Sequence, residues 1–177
     1  MVHRIRQFYR NILYGLKPMD EAFIGRYLSM KEQEIFSRLK KSEQYHSILV
    51  AKGVEEEAAK LGMKIQDDLV KMGLFHDLGK AVRPTNIIEK SMAVLLKKIL
   101  REKLKRIDRV GFISSYLYHG ERGEEILRRE KTFDRSPFLY QVVRYHHDNL
   151  EKLKRNPSLD GDFFKSLEIL KKYDDLN

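Results

Sequence analysis

The chain has 177 residues, of which 42% are hydrophobic and 34% charged, which suffices for one substantial core and is too little for two ordinary domains. It contains no cysteine, so disulfides and thiolate ligands are excluded, and any metal site must use histidine, carboxylate and water. We find no signal peptide and no apolar run of membrane-spanning length, and we therefore expect a cytoplasmic protein without a transmembrane segment. The formal net charge of +9 favours an anionic partner but does not identify it.

The first 44 residues are expected to form an N-terminal helical extension that packs on the rest of the chain. Apolar residues at helical spacing between residues 2 and 17 predict an amphipathic helix, with binding to a membrane surface or a partner as the alternative to packing. A short helix is expected from Glu21 to Leu28. Ser29 and Glu32 have the spacing of a capping box and predict a third helix that runs through Leu39.

The next two helices carry candidate metal ligands. The first is expected from an N-cap at Ser42 to about Leu61, with His46 on its apolar face. His46 alone could equally be a core histidine.

The second of these helices ends in the adjacent pair His76 and Asp77. Asp67 is its predicted N-cap, and Gly79 is predicted to stop it. Neighbouring residues point about 100° apart within a helix, but at a helix end both side chains can converge on one point. The pair therefore predicts two hard donor ligands at a rigid helix end.

The segment that follows is strongly basic. Lys80 and Arg83 leave the helix end directly and are candidate contacts for a substrate phosphate; for each, a plain solvated side chain is the alternative. Residues 87 to 107 are expected to be helical, with an inward face formed by Val94, Leu95, Ile99 and Leu104. Nucleic-acid binding would require exposed aromatic residues for stacking, and none occurs between residues 75 and 112, so we interpret the basic residues as a solvated face.

The remaining candidate residues lie in the last third of the chain. His119 is followed by Gly120 and Gly123, small residues that would let a ligand-bearing helix approach its neighbours closely, and by Arg122, a further candidate phosphate contact. A helix is predicted from an N-cap at Ser136 through His147, and a last helix from Phe163 to Tyr173. That last helix would bring Asp174 to the site.

The histidines recur at intervals that suit an antiparallel helical protein. Positions 46, 76, 119 and 146 are separated by 30, 43 and 27 residues, roughly one helix out and one helix back. The order resembles that of the HD-domain superfamily of metal-dependent phosphohydrolases, H, HD, H, H, D, which reads here as His46, His76 with Asp77, His119, His146 and Asp174.

The surroundings of these residues carry the same resemblance, from about Tyr45 to the C-terminus. "YHSILVAKGVEEEAAKLG" is similar to the helix of the first histidine, "LVKMGLFHDLGK" to the HD helix, "YHGERGEEIL" to the third ligand helix, and "VVRYHHD" to the paired-histidine helix of HDIG-type binuclear members. The resemblance implies an all-α fold, an HD-domain helical bundle at 45–177 with additional N-terminal helices at 1–44.

Two departures from the family pattern narrow the assignment. Asp148, Asn149 and Leu150 stand where the HD-GYP group has its GYP triplet, which argues against that group. Tyr173 precedes Asp174 where a small residue is usual, so Asp175 remains an alternative for the last ligand.

The resemblance further implies two divalent ions bridged by Asp77. The first ion would also be coordinated by His46, His76 and Asp174, and the second by His119 and His146. His147 would be a further ligand or a proton donor to the leaving oxygen. Ligation by nitrogen and oxygen favours iron or manganese, and nickel, cobalt or zinc would also fit.

The implied reaction is hydrolysis of a phosphoester of a nucleotide or a related phosphorylated small molecule by a hydroxide that the two ions share. The catalytic residues would be Asp77, Lys80 and His147, and the substrate-binding residues Lys80, Arg83 and Arg122. A homodimer is compatible with the sequence. Two other interpretations stay open, a non-catalytic regulator that binds metal or nucleotide, and a di-iron oxygenase.

Overall fold

The computed structural model describes residues 14–177, and these form helices without any strand. The α-helices are α1 (Glu21–Tyr27), α2 (Met30–Phe36), α3 (Lys41–Lys60), α4 (Gln66–Phe75), α5 (Ile87–Leu100), α6 (Gly111–Arg129), α7 (Phe138–Tyr145), α8 (Leu150–Leu153) and α9 (Gly161–Leu176). Two 3₁₀ helices, Leu78–Ala81 and Arg101–Ile107, follow α4 and α5. The prediction of an all-α fold is confirmed, while most of the helix predicted for residues 2 to 17 lies outside the described residues.

The predicted start of α2 is confirmed, and those of α3 and α4 are wrong by one or two residues. At α2, Glu32 N–H donates to Ser29 Oγ, and Ser29 N–H donates to Glu32 Oε2 at 2.8 Å. Helix α3 begins one residue before the predicted cap Ser42, and Asp67 lies in the first turn of α4 instead of capping it. Neither helix has a side-chain cap, so both starts depend on tertiary packing.

Gly79 does not stop the HD helix, contrary to the prediction. Helix α4 ends at Phe75, and Gly79 lies in the following 3₁₀ helix. A Cβ atom at Gly79 would lie 1.8 Å from the carbonyl oxygen of His119 and 2.7 Å from the backbone nitrogen of Gly123. The glycine is therefore required where the HD segment meets α6.

The inward face predicted for the basic segment is wrong in part. Leu104 is buried, but Leu95 and Ile99 expose 51% and 65% of their surfaces. The physical reason is the helical period, since α5 presents Ala93 and Lys90 to the rest of the domain and Leu95 and Ile99 point about 180° away. The helix also ends at Leu100, and the Arg101–Ile107 segment is 3₁₀.

Helices α7 and α9 place His146, His147 and Asp174 at or just after their C-terminal ends. Helix α7 begins at Phe138, two residues after the predicted cap Ser136, whose hydroxyl instead donates to Asp68 at 2.8 Å. It ends at Tyr145, so His146 and His147 follow directly. Helix α9 starts from an Asp160 cap and contains Asp174 in its last turn.

One continuous core holds these helices together. Helix α3 packs on α4 and α9, α6 packs on α7 and on the Leu78–Ala81 segment, and α9 also packs on α7. Fully buried aromatic residues at its centre include Phe36, Phe75, Phe133 and Phe163. Within residues 14–177 we find no helix with the length and apolar character needed to cross a membrane.

Candidate metal centre

The fold brings the scattered histidines together. His46 lies on α3, His76 and Asp77 follow α4, His119 lies on α6, and His146 follows α7. The ring centroids of His46 and His76 are 5.4 Å apart, those of His76 and His146 5.4 Å, and those of His119 and His146 5.2 Å. Side chains from four separate elements thus form one cluster.

Asp77 lies among these histidines, and its two oxygens are near different members of the cluster. Its Oδ2 is 3.4 Å from His76 Nε2, whereas Oδ1 is 3.5 Å from His119 Nε2 and 3.6 Å from His146 Nε2. Two groups of side chains have ligand atoms within 4.8 Å of one another and could hold a metal ion: His46, His76 and Asp77, and Asp77, His119, His146 and His147. Asp77 belongs to both groups.

Asp174 lies beside the first group. Its Oδ1 is 3.0 Å from His46 Nε2 and 3.7 Å from His76 Nε2, whereas Asp175 is exposed. The bulky Tyr173 before it fits because α3 has a glycine opposite, and a Cβ at Gly53 would lie 2.1 Å from the Tyr173 ring. Of the two candidate carboxylates, Asp174 is thus the one in contact with the histidines.

Three of the histidines are oriented by backbone carbonyls. Their Nδ1 atoms lie 2.8 Å from Gly73 O for His76, 3.0 Å from Tyr116 O for His119, and 2.6 Å from Val143 O for His146. Because a carbonyl only accepts, each Nδ1–H donates, and each Nε2 is directed into the cluster.

The atoms directed into the cluster have no hydrogen-bond partner. The Nε2 atoms of His76, His119 and His146 and the Oδ1 of Asp77 are buried and unpaired. Such buried polar atoms cost free energy unless something binds them. Imidazole nitrogens and carboxylate oxygens are ligands of divalent transition-metal ions, so the residues present fit such ions.

The environment of the cluster shifts the pKa values of its titratable residues in different directions. Burial disfavours a charged His76, but the carboxylates of Asp77 and Asp174 outweigh this and raise the pKa of His76 to about 10. Burial lowers the pKa of His119 to about 3, with a further contribution from nearby Lys80. Burial would raise the pKa of Asp77, yet Lys80 and His76 hold it well below its usual value.

A chain of charged side chains leads away from Asp77. Lys80 Nζ donates to Asp77 Oδ2 at 2.5 Å and lies 3.5 Å from Glu43 Oε2. Glu43, 5% exposed, also pairs with Lys90 of α5. The sequence interpretation missed Glu43 and Lys90; the available signal was that Glu43 precedes His46 by three residues and so shares its helix face.

A cavity of about 330 Å³ opens beside the cluster. Its wall includes His46, Asp77, Lys80, Lys90, Phe112, Tyr116, His119, His147 and Asp174. The predicted phosphate contacts Arg83 and Arg122 are not part of the wall: Arg83 pairs with Glu89 at 2.9 Å, and Arg122 donates to Ser114 Oγ at 2.7 Å.

The described residues thus form an all-helical domain in which histidines and carboxylates surround the buried Asp77 and could hold metal. The chain belongs to the HD domain family, since the family model of the HD domain matches residues 44–174. Comparison with curated proteins and with solved structures gave no significant match. The family assignment is confirmed, while the HDIG subtype and the binuclear variant stay predictions.

Proposed function

We propose that the protein is a metal-dependent phosphohydrolase that hydrolyses a phosphoester of a nucleotide or a related phosphorylated small molecule. The observation that carries this proposal is the position of Asp77, which belongs to both groups of ligand atoms and borders the cavity. Membership in the HD domain family, which comprises metal-dependent phosphohydrolases, gives independent support.

The proposal assigns two divalent cations, with iron or manganese favoured by the nitrogen and oxygen donors. Asp77 would be shared, with His46, His76 and Asp174 on one side and His119, His146 and His147 on the other. When bound, such ions polarise phosphoryl oxygens and lower the pKa of water towards neutrality.

Lys80 would bind a phosphoryl oxygen of the substrate. Its ammonium group lies in the cavity wall beside Asp77, where it can neutralise the charge that develops on phosphorus oxygens during attack. Glu43 would position this lysine, because its carboxylate lies 3.5 Å from the ammonium nitrogen.

His147 would act at the mouth of the site, as a further ligand or as a proton donor to the leaving oxygen. Its ring centroid lies 4.0 Å from that of His146 and 4.9 Å from that of His119, yet the residue is exposed. Exposure towards the cavity gives it access to a departing group, as a general acid requires.

A nucleotide is favoured because the cavity combines cationic and aromatic walls. Lys80 and Lys90 offer ammonium groups, and Phe112 and Tyr116 offer rings from one side of α6. Bases stack on aromatic rings, with about 1–3 kcal/mol for each contact. The cavity volume of about 330 Å³ lies at the lower end of small-molecule sites.

The ligand assignment is tested by a matched pair of adjacent substitutions. Asp174→Asn should lower the metal content of purified protein, whereas Asp175→Asn should retain it, because only Asp174 contacts the histidines. Equal metal content in both variants would contradict the assignment.

The reaction is tested with a panel of nucleotides and bis-p-nitrophenyl phosphate in the presence of manganese. Turnover should be abolished by Asp77→Ala and kept by Glu121→Ala, since Glu121 pairs with Arg144 outside the cavity. Oxygen consumption with ferrous iron, without phosphoester turnover, would instead favour the oxygenase. Metal binding without either activity would favour the regulator.

A further inference from the structure

Helix α5 carries an apolar stripe that no described residue covers. Ile88, Met92, Leu95 and Ile99 expose 75%, 47%, 51% and 65% of their surfaces. Their spacing of four, three and four residues places them within one narrow sector of the helix. We call these four residues the α5 stripe.

The stripe points directly away from the domain. The opposite side of α5 carries buried Ala93, Lys90 in contact with Glu43, and Val94 in the cavity wall. On a helix with 3.6 residues per turn, these residues lie roughly 130° to 170° from the centre of the stripe. The inner face of α5 is thus satisfied by the domain, while the outer face presents aliphatic side chains to solvent.

The stripe continues into exposed apolar and basic residues. Among described residues, six of the eleven exposed large hydrophobic side chains fall between positions 88 and 110, with Ile107 and Val110 completing the six. Residues 97–109, the basic segment, hold seven Lys or Arg and two acidic residues. Exposed positions include Lys98, Lys103, Lys105, Arg106 and Arg109.

We propose that the α5 stripe and the basic segment bind the surface of an anionic lipid bilayer. Aliphatic side chains flanked by Lys and Arg match the boundary between acyl chains and acidic headgroups, which takes up apolar side chains and attracts basic residues. Since α5 also forms part of the cavity wall, this contact would hold the cavity near the membrane surface.

Two other occupants fit the observations less well. A second copy of the chain packed stripe to stripe would bring two basic segments together, and juxtaposed like charges oppose association. A nucleic acid would use the basic segment for its phosphates, but the exposed stripe beside it is aliphatic and offers no ring on which a base could stack. The exposed aliphatic residues therefore favour lipid.

The test measures cosedimentation of the full-length protein with vesicles of phosphatidylcholine alone and of phosphatidylcholine with about one-third phosphatidylglycerol. We expect binding to the anionic vesicles that weakens as salt is added. The double variant Leu95→Gln/Ile99→Gln should reduce the partition coefficient about tenfold or more, because two aliphatic side chains no longer enter the bilayer.

The matched control is Met30→Gln/Leu61→Gln, which removes two exposed apolar side chains elsewhere and should leave vesicle binding within about twofold. A second variant, Lys105→Gln/Arg106→Gln, should weaken binding to anionic vesicles about 30-fold, which corresponds to roughly 1 kcal/mol for each basic residue. This second variant tests the proposal even if the stripe variant folds poorly. The thermal midpoint of the stripe variant would show such poor folding.

Several results would overturn the proposal. These are absence of binding to anionic vesicles, equal binding to both vesicle types, or unchanged binding by the stripe variant. Concentration-dependent self-association in light scattering, lost in the stripe variant while vesicle binding is absent, would assign the face to a second copy. Binding to single-stranded oligonucleotides that depends on the basic segment, without vesicle binding, would assign it to nucleic acid.

Discussion

Replacing Gly79 with alanine should strain the contact between the HD segment and α6. The added Cβ would lie 1.8 Å from the carbonyl oxygen of His119, whereas an ordinary carbon–oxygen contact is about 3.3 Å. The two backbones would therefore separate by roughly 1.5 Å. Because both neighbouring atoms are backbone, rotamer changes cannot relieve the clash, and we expect a loss of about 3 kcal/mol in the free energy of unfolding.

The same shift should affect the site, since Asp77 lies two residues before Gly79 and its Oδ1 is 3.5 Å from His119 Nε2. Metal affinity should fall about tenfold or more. Denaturant unfolding and a metal-competition assay on the same protein measure both effects, and the thermal midpoint should fall by about 10 °C.

Gly25→Ala is the matched control for this substitution. Gly25 lies inside α1 with nothing within 4 Å of the added Cβ. Alanine should therefore stabilise the protein by about 0.5–1 kcal/mol through helix propensity. The reasoning is refuted if Gly79→Ala unfolds at the same denaturant concentration as Gly25→Ala, or if it loses stability without any loss of metal affinity.

The remaining predictions concern the charges of the cluster and the packing around it. Glu43→Gln should lower kcat about tenfold with unchanged metal content, because Lys80 loses an ionic partner. The exposed Glu34→Gln is the control. A loss of metal from the Glu43 variant would contradict this prediction. Metal uptake at neutral pH should release about one proton from His76, because the pKa of His76 is raised to about 10. Metal affinity should therefore increase as pH rises from 6.5 towards 10. Calorimetry in buffers of different ionisation enthalpy measures the proton release, and zero release would refute the prediction. Gly53→Ala should lower the free energy of unfolding by about 1–3 kcal/mol in the wild-type chain and by little in a Tyr173→Ala background. Denaturant unfolding of the wild type, the two single variants and the double variant would detect or exclude this coupling.

The all-α class and the helix carrying each candidate ligand could be predicted from the sequence because they depend on local patterns. The capping box at Ser29 and the apolar period of α4 are encoded within a few residues. The spacing of the histidines and the family resemblance together predicted that these residues would lie close to one another. Such information is short in range and does not require the packing of the whole chain.

The parts that could not be predicted depend on contacts between distant segments. Arg83 and Arg122 follow candidate ligand motifs closely in sequence, yet neither belongs to the cavity wall. Arg83 is held by Glu89 and Arg122 by Ser114. Glu43 and Lys90 are 47 residues apart and meet only in the folded chain, where Lys90 Nζ donates to Glu43. The exposure of Leu95 likewise depends on which side of α5 the domain occupies, since apolar residues occur on both sides of that helix.

The geometry of the site is fixed on both sides of α6 by backbone contacts. On one side, Gly79 meets the carbonyl of His119; on the other, a Cβ at Gly120 would lie 2.3 Å from the carbonyl oxygen of Arg144. His119 therefore cannot move away from Asp77 without pressing on the segment that carries His146. Backbone–backbone contacts are less compliant than side-chain packing, so we expect the ligand atoms to keep their spacing in the metal-free protein. A centre arranged in this way would lose little conformational entropy on binding an ion.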